Sequence, residues 1–463
     1  MDSGIGIGGL STGKEEFVTS SFDLFTPIEV ENSILKAYNL TYRPISSTSG
    51  AGPFNFEVPA DPEKFTDTES IRLHGAIRIR KKNSSGALVN LAADEKVSTV
   101  NNIFDSLWEK INTKLNGVEI TDPGAKWYAY KAYLENHLSY SSSSKGITLP
   151  SKGYIKDTAG KFDSVGVIGV GSSSGKPAVI AKDSENSGFN KRKELFAESK
   201  WVYFCINIHI DICTIRRYIP PGVKIELEFQ RNKDNFCLLS ADENTEYSIE
   251  IKDLKLKLNR YDASPKVKKY YDSAIQSGNK PILPIDRSLL KTYVITRGTS
   301  DLSHFNIVTG RQLPEQVFVG IVEHSSHNGS ITKNPYNFQD FGLKEASLVV
   351  NGVHEPFDLY KLNKDDGDKA DLYFNFLENT GVSSDDREFG ISMDDYYGGS
   401  FILAFDRSTD KCNRFHRHIP DSGSMDINIK TKNPLAQSVT VIIYATYSSD
   451  IIIDDNKIIS TII

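Results

Sequence analysis

Alternation of hydrophobic and polar residues with a period of two is the dominant pattern along this chain. In the clearest segment, six apolar residues from Val202 to Ile212 occupy every second position. Side chains of a β-strand point alternately to its two faces, so this pattern predicts a strand with one buried face. The same alternation marks the segments that start at Val223, Tyr247, Met425 and Val439. Many such strands, with few long helical stretches between them, predict antiparallel β-sandwiches.

The alternation changes phase once within the segment that starts at Tyr247. Apolar residues up to Ile251 share one phase, and those from Leu254 onwards take the other. One extra residue near Lys252-Asp253 would restore a single buried face, so we expect a β-bulge at that position.

Two helical segments interrupt the strands. Apolar residues recur at helical spacing over positions 127–138, and Asp122-Pro123 is predicted to provide the N-cap and first turn of this helix. A second, shorter helix is predicted around residues 372–377, and we expect it to stop before Gly381.

The order of these parts occurs twice, with an offset of about half the chain. Asn116-Gly117 and Asn351-Gly352 each favour a tight hairpin, because both residues of such a pair accept positive φ. Each hairpin is followed by a helix that contains Leu-Glu-Asn (residues 134–136 and 377–379), then by a polar loop and strands. We therefore predict two copies of one eight-stranded sandwich in tandem.

The chain of 463 residues is long enough for two such domains. We predict a flexible N-terminal arm at 1–20, a first sandwich at 21–264, a linker at 265–280 and a second sandwich at 281–463. The Ser- and Gly-rich region 141–190 is predicted to be a long irregular loop.

Composition excludes several classes of protein. Charged residues make up 25% and the AVILMFWYC set 39%, as in globular proteins, and the formal net charge of −6 argues against a protein that mainly coats phosphate. No apolar run reaches the roughly 18 residues that a membrane span needs, and we expect no secretory signal. The four cysteines lack a paired spacing and are expected to be reduced, packed thiols; they are Cys205, Cys213, Cys237 and Cys412.

Motifs that match nucleotide-binding formulas lack the context that their chemistry needs. Gly4-x-Gly6-x-x-Gly9 fits the dinucleotide pattern, but no strand precedes it and no βαβ unit follows. The stretch Gly8–Lys14 resembles a phosphate loop, but Glu15 stands where a magnesium-binding Ser or Thr is required. Two further segments resemble other GTPase motifs, namely Asp157-Thr-Ala-Gly160 and Asn363-Lys-Asp-Asp366. No parallel sheet is predicted that would bring them together.

The candidate nucleophiles, metal ligands and basic patches also lack the neighbouring elements or the spacing that their chemistry needs. Ser173 and Ser11 fit the nucleophile-elbow formula, but neither precedes a predicted helix. The histidines and acidic residues lack ligand spacing; they are His324, His327, His416, His418, Asp365, Asp366, Asp368, Asp385 and Asp386. Arg78-Ile-Arg80-Lys81-Lys82 and Lys191-Arg192-Lys193 suit strand ends and loops better than a nucleic-acid surface. We expect no catalytic, cofactor-binding or metal-ligating residue.

A series of segments resembles, in order and spacing, the major capsid (hexon) proteins of Polinton/Maverick elements and adintoviruses. In the first half these segments are residues 100–107, 115–120, 130–140 and 154–163, and in the second half they are residues 320–322, 328–338 and 390–406. The likeness extends from about Ser21 to Ile453. The first 15 residues and the loop 164–190 have no counterpart.

The resemblance implies an all-β double jelly roll. It also implies a structural, non-enzymatic protein of the virion that forms homotrimers, whose pseudo-hexameric capsomers tile an icosahedral shell around double-stranded DNA. Penton and minor capsid proteins are implied as partners, without recognition of a specific nucleic-acid sequence and without a membrane span. Two alternatives stay open: a cellular tandem β-sandwich binding module derived from a mobile element, and a hydrolase that uses Ser173.

Overall fold

The computed structural model describes residues 30–45, 52–93, 95–122, 126–165, 184–361, 368–382, 388–409 and 417–462. Several predictions of the sequence fall outside these residues: the arm 1–20 with its glycine motifs, Ser173, residues 363–366, Asp385-Asp386, Cys412 and His416.

Strands dominate the described residues and are joined by short helices. In chain order the strands are β1 (Ile34–Tyr42), β2 (Phe54–Val58), β3 (Phe65–Lys82), β4 (Leu88–Asn90), β5 (Val97–Thr99), β6 (Trp108–Leu115), β7 (Val118–Glu119), β8 (Val202–Asn207), β9 (Ile225–Arg231), β10 (Leu238–Ser240), β11 (Tyr247–Ala263), β12 (Ile282–Ile295), β13 (Asp301–Gln312), β14 (Gln316–Glu323), β15 (Leu343–Val350), β16 (Val353–Lys361), β17 (Ile402–Asp406), β18 (Ser422–Thr431), β19 (Val439–Ile453) and β20 (Ile459–Ile462). The α-helices are α1 (Ile103–Ser106), α2 (Tyr128–Ser139), α3 (Ser142–Ile147), α4 (Ser187–Phe196), α5 (Asp234–Cys237), α6 (Pro265–Gln276), α7 (His324–His327), α8 (Asp368–Asn379) and α9 (Met393–Tyr397).

The main strands form two sandwiches with the same strand order. The first sandwich consists of the sheet β1-β11-β3-β8 and the facing sheet β2-β9-β6-β7. The second consists of the sheet β12-β19-β14-β17 and the facing sheet β13-β18-β15-β16. If the eight main strands of each unit are counted in chain order, both units have one sheet ordered 1-8-3-6 and another ordered 2-7-4-5. This is the antiparallel jelly roll. The predicted fold, two tandem eight-stranded jelly rolls with short inserted helices, is confirmed.

The burial patterns explain how the two rolls differ. Strand β9 alternates between buried and half-buried side chains, because one of its faces packs on the core of the first roll. In β14 and in the first nine residues of β19, nearly every residue is buried, so this sheet is covered on both faces. One face packs on the second roll's own core, and the other faces the first roll.

The predicted hairpins and bulge are confirmed. Asn116 and Gly117 have φ of 47° and 82°, and Asn351 and Gly352 have φ of 50° and 85°, as a tight primed turn requires. The pairing of β11 with β3 shifts register between Lys252 and Lys255, and Asp253 has φ of 54°. The bulge turns the apolar side chains of both halves of β11 towards one core.

The predicted internal repeat is also seen in the helices, because α2 and α8 occupy the same position in the strand order of their rolls. Each lies between the fifth and sixth main strands of its roll. Helix α8 ends at Asn379, before Gly381 with its φ of 75°, as predicted. Asp122 is not the N-cap of the first helix as predicted: α2 begins at Tyr128, after Trp127 in the left-handed conformation, and the predicted first-turn Pro123 lies outside the described residues.

Three further predictions need correction. The strand that begins at Val202 ends at Asn207; the chain then leaves the sheet for a 3₁₀ turn at Asp211–Thr214, while Ile208, Ile210 and Ile212 stay buried. The region 141–190 contains α3, a 3₁₀ turn at Leu149–Lys152 and the start of α4, so it is not one irregular loop. Cys205 is an exposed thiol rather than a packed one.

The connection between the rolls is the exposed helix α6, which lies between the end of β11 and the start of β12. From these positions we propose the division of the chain given above, with 265–280 as the connecting segment.

Candidate functional site at the junction of the two jelly rolls

Helix α2 lies between the two rolls and belongs to the first. Its buried aromatic residues recur at helical spacing, and Tyr130 and Tyr133 have 0% and 1% of their surface exposed. Their rings meet the segment of the second roll that follows β14, in which Tyr336 and Phe338 are wholly buried. The two rolls therefore share one hydrophobic core through this helix.

Tyr336 is held in the middle of this aromatic cluster. Its ring stacks on Tyr133 at 4.1 Å and meets Tyr130 edge to face at 5.7 Å. The hydroxyl of Tyr336 forms a 2.5 Å hydrogen bond with the Ser106 hydroxyl of the first roll. A buried tyrosine needs such a partner for its hydroxyl, and this one also fixes the position of the second roll against the first.

His324 and His327, which the sequence offered as metal ligands, lie together on α7. His327 packs on Trp127 and Tyr130, with ring centroids 4.1 and 5.6 Å away. Burial, with help from His324, lowers the pKa of His327 to about 4, so the ring is neutral at pH 7. Within the described ranges, no group of three or more potential ligands could hold a metal ion.

A buried ion pair joins two motifs that the sequence left apart. Arg192 of α4 is 1% exposed and donates from Nη2 to Oδ1 of Asp157 at 2.6 Å. The other guanidinium nitrogens donate to the Thr99 and Ile155 carbonyls. Asp157 also accepts from the side-chain amide of Asn334 in the second roll, at 3.2 Å. Because the charges are paired and bonded, this buried pair is tolerated.

The Asp-Thr-Ala-Gly box therefore has a structural role, and interpreting Arg192 as part of a solvated loop cluster is wrong. A signal was available: Arg192 shares the buried face of α4 with Phe189 and Phe196, at positions three and four residues away. An arginine on an apolar helix face needs a buried acceptor, and the sequence alone does not say which carboxylate provides it.

Further polar contacts join the segments that resemble capsid proteins. Asp163 accepts from the backbone N–H of Asn334 at 2.6 Å and from the Asn337 amide at 2.9 Å. Lys156 donates to Asp395 at 2.7 Å and to the Gly390 carbonyl at 2.8 Å. Segment 154–163 of the first roll is thus bonded to segments 328–338 and 390–406 of the second.

A charged cluster occupies the other side of α2. Glu135 accepts from the Tyr444 hydroxyl of the second roll at 2.8 Å and is paired with His209 Nδ1 at 2.7 Å. Lys131 pairs with Asp211, which also accepts from the Ser288 hydroxyl at 2.8 Å. Both carboxylates therefore link the two rolls.

The pKa values follow from these pairs. Burial raises the pKa of Glu135, but Lys131 and His209 more than offset this and lower it to about 2. Burial lowers the pKa of His209, but the hydrogen bond to Glu135 and the negative charges of Glu135 and Asp105 together outweigh it, so the net pKa is raised. The cluster borders a cleft of about 1200 Å³ between the rolls. The charged side chains of the cluster pair across the junction, as expected for two rolls that are held in a fixed arrangement.

Three of the four cations in the basic cluster at the end of β3 are paired with neighbouring carboxylates, and Arg80 donates to the Leu88 carbonyl. Arg78 pairs with Glu250 at 2.6 Å, Lys81 with Glu95 at 2.9 Å and Lys82 with Glu246 at 2.6 Å. Cations that are already paired make a poor surface for phosphate. Among the described residues, no helix is both long and apolar enough to cross a bilayer.

No protein-family model matches the chain. In sequence, the uncharacterized protein F54H12.2 of Caenorhabditis elegans is 21% identical over 358 residues, which cover 76% of this chain and 78% of that protein.

Solved structures of viral proteins are similar over nearly the whole chain. A chain of the Sputnik virophage has a TM-score of 0.62 and 10% identity, with 99% of this chain and 95% of that chain covered. The mavirus major capsid protein gives 0.53 and 10%, with coverage of 99% and 97%. The Faustovirus major capsid protein gives 0.54 and 10%, with 92% of each chain covered.

The fold is the double jelly roll. At such low identity the likeness shows this architecture and no more, and it covers 99% of the chain, which includes both rolls.

Proposed function

We propose that this chain is the major capsid protein of a double-stranded DNA element related to the Polinton/Maverick elements and adintoviruses. In this proposal three copies form a capsomer, and their six rolls make a pseudo-hexagon. Many capsomers then tile an icosahedral shell. The observation that carries the proposal is the pair of rolls with identical strand order, joined through one buried core. A threefold axis acting on such a chain generates six similar sandwiches.

Exposed apolar side chains on both rolls can supply the contacts between copies. Leu35 is 62% exposed on the first roll, and Val353 and Phe374 are 61% and 56% exposed on the second. A stable interface of standard size buries about 1,200–2,000 Å², and its centre is enriched in aromatic residues. Burial of such side chains between neighbouring copies would favour association.

The proposed role is structural, without catalysis or cofactor, in the virion. The net charge of −6 keeps free capsomers soluble and leaves the charge of packaged DNA to other proteins or ions. Penton and minor capsid proteins are the proposed partners, and no specific nucleic-acid sequence is recognised.

A second candidate is a cellular tandem β-sandwich binding module derived from a mobile element. The relative in Caenorhabditis elegans favours it, because a protein of an animal genome matches 76% of this chain. Such a module would bind a ligand, for example a glycan, as a single copy.

Electron microscopy of the purified chain in negative stain separates the two candidates. The capsid proposal expects triangular or hexagonal particles with three chains each. A field of small two-lobed particles, together with saturable binding on a glycan array, would favour the binding module instead.

A further inference from the structure

Helix α6, between the two rolls, has an apolar side that no part of the described chain buries completely. Val267, Tyr271 and Ile275 recur every four residues on this side and are half-buried. The neighbouring Tyr270 is 77% exposed. An amphipathic helix whose apolar side stays open in one copy indicates a surface that is covered by something else.

The helix forms one wall of a groove of about 360 Å³. Phe65 meets Tyr271 edge to face at 5.7 Å, and the partly exposed side chains of Tyr218 and Ile282 also line the groove. Charges of both signs border the groove: Glu31, Asp67 and Glu69 lie near Tyr218, and three cations lie at the groove itself. Arg217 donates to the Ile282 carbonyl at 2.8 Å, Lys457 lies 3.1 Å from the Tyr271 hydroxyl, and Lys280 lines the groove.

We propose that this groove is the docking site for residues 15–29 of the same chain. The described chain begins beside α6, since the Ser264 N–H donates to the Ser33 carbonyl at 2.8 Å. Strand β1 is separated from β3, on the groove side, only by β11. Two strand spacings are about 10 Å, which roughly three to four extended residues can span.

The sequence of that segment complements the groove in chemistry. It carries the apolar rings Phe17, Phe22 and Phe25, which suit the aromatic floor. Its acidic residues Glu15, Glu16, Asp23 and Glu29 have oppositely charged partners at the groove in Arg217, Lys280 and Lys457. Because the segment is tethered beside the groove, its effective concentration there is high. This inference goes beyond the capsid role and does not depend on it, since the occupant belongs to the same chain.

Photo-crosslinking in the full chain tests the proposal. Tyr270 is replaced by p-benzoylphenylalanine, and a matched chain carries the same probe at Tyr203, which is comparably exposed on the first roll. Crosslinks from position 270 should map by mass spectrometry to residues 15–29, and those from position 203 should not. Phe22→Asp with Phe25→Asp should reduce the yield from position 270 at least fivefold without changing the melting temperature.

A mixture of ¹⁴N- and ¹⁵N-labelled chains shows whether the segment comes from the same copy. Docking within one chain predicts crosslinked peptides of one isotope only. Mixed-isotope pairs would overturn the proposal in favour of an arm exchanged between copies, and crosslinks to other segments, or a yield equal to that at position 203, would overturn it altogether.

Discussion

Tyr133 of the first roll stacks on Tyr336 of the second, with ring centroids 4.1 Å apart and ring planes 6° from parallel. Both side chains are almost wholly buried, so neither ring can move without opening the junction. This contact makes the two rolls parts of one core, as the proposed capsomer with six rolls in fixed positions would require.

The first prediction concerns replacement of the Tyr133 side chain. Tyr133→Ala should lower the free energy of unfolding by about 3–5 kcal/mol, the range for loss of a large buried aromatic side chain. Chemical denaturation measures it. Tyr203→Ala is the control: its ring is 67% exposed, and the change should stay within about 0.5 kcal/mol. Equal losses in the two variants would show that the junction is not tightly packed.

The second prediction concerns the buried pair of Arg192 and Asp157. Arg192→Met leaves a buried carboxylate without its cation and should destabilise the protein by about 3–5 kcal/mol. Adding Asp157→Leu should restore part of that loss, because the uncompensated charge is gone. Lys82→Met breaks an exposed pair with Glu246 and should change stability little. Additive losses in the double variant would argue against a coupled pair.

The third prediction is a pH dependence. The pKa of Glu135 is about 2 in the folded chain and near 4.5 when unfolded, so its stabilisation is present above pH 4.5 and is lost as pH falls towards 2. The shift corresponds to roughly 3 kcal/mol. The difference in unfolding free energy between the native chain and Glu135→Gln should therefore shrink over that range. A difference that is constant from pH 5 to pH 2.5 would contradict this account.

His209 should show the opposite trend. Its folded pKa is raised above 6.5, so its stabilisation is present below pH 6.5 and is lost as pH rises through the folded pKa. The cost of His209→Gln should accordingly be larger at pH 6 than at pH 9. Urea denaturation of the native chain and of His209→Gln at pH 6 and pH 9 measures this cost. A cost that grows with pH would be inconsistent with the pairing of His209 and Glu135.

The fourth prediction concerns Gly320 in β14. A Cβ at this position would lie 2.5 Å from Cδ1 of the buried Phe338 ring. Gly320→Ala should therefore destabilise the chain by about 1–3 kcal/mol through overpacking. Gly146→Ala is the matched control, because nothing lies within 4 Å of its Cβ position in α3. Equal stability of the two variants would mean that the ring can move aside.

The sequence predicted the parts of the fold that local rules determine. Hairpins at Asn116-Gly117 and Asn351-Gly352 follow from backbone conformation, and the bulge at Asp253 follows from the phase of the apolar residues. The strand from Val202 was extended too far because buried side chains can keep alternating after the backbone leaves the sheet, as Ile208 and Ile210 do.

Local sequence rules could not predict the contacts at the junction of the two rolls. The stack of Tyr133 on Tyr336 and the pair of Arg192 with Asp157 join residues that are far apart in the chain, and periodicity carries no information on which partners meet. The segments that resemble capsid proteins did include Tyr133, Asp157 and Tyr336. The resemblance implied the fold, but it gave neither the place where the two rolls meet nor the contacts between them.

The most direct measurement of the central claim is the mass of the purified chain in solution. Multi-angle light scattering at neutral pH and micromolar concentration should give three times the mass of one chain. A strictly monomeric protein across that concentration range would contradict the account of a capsid subunit.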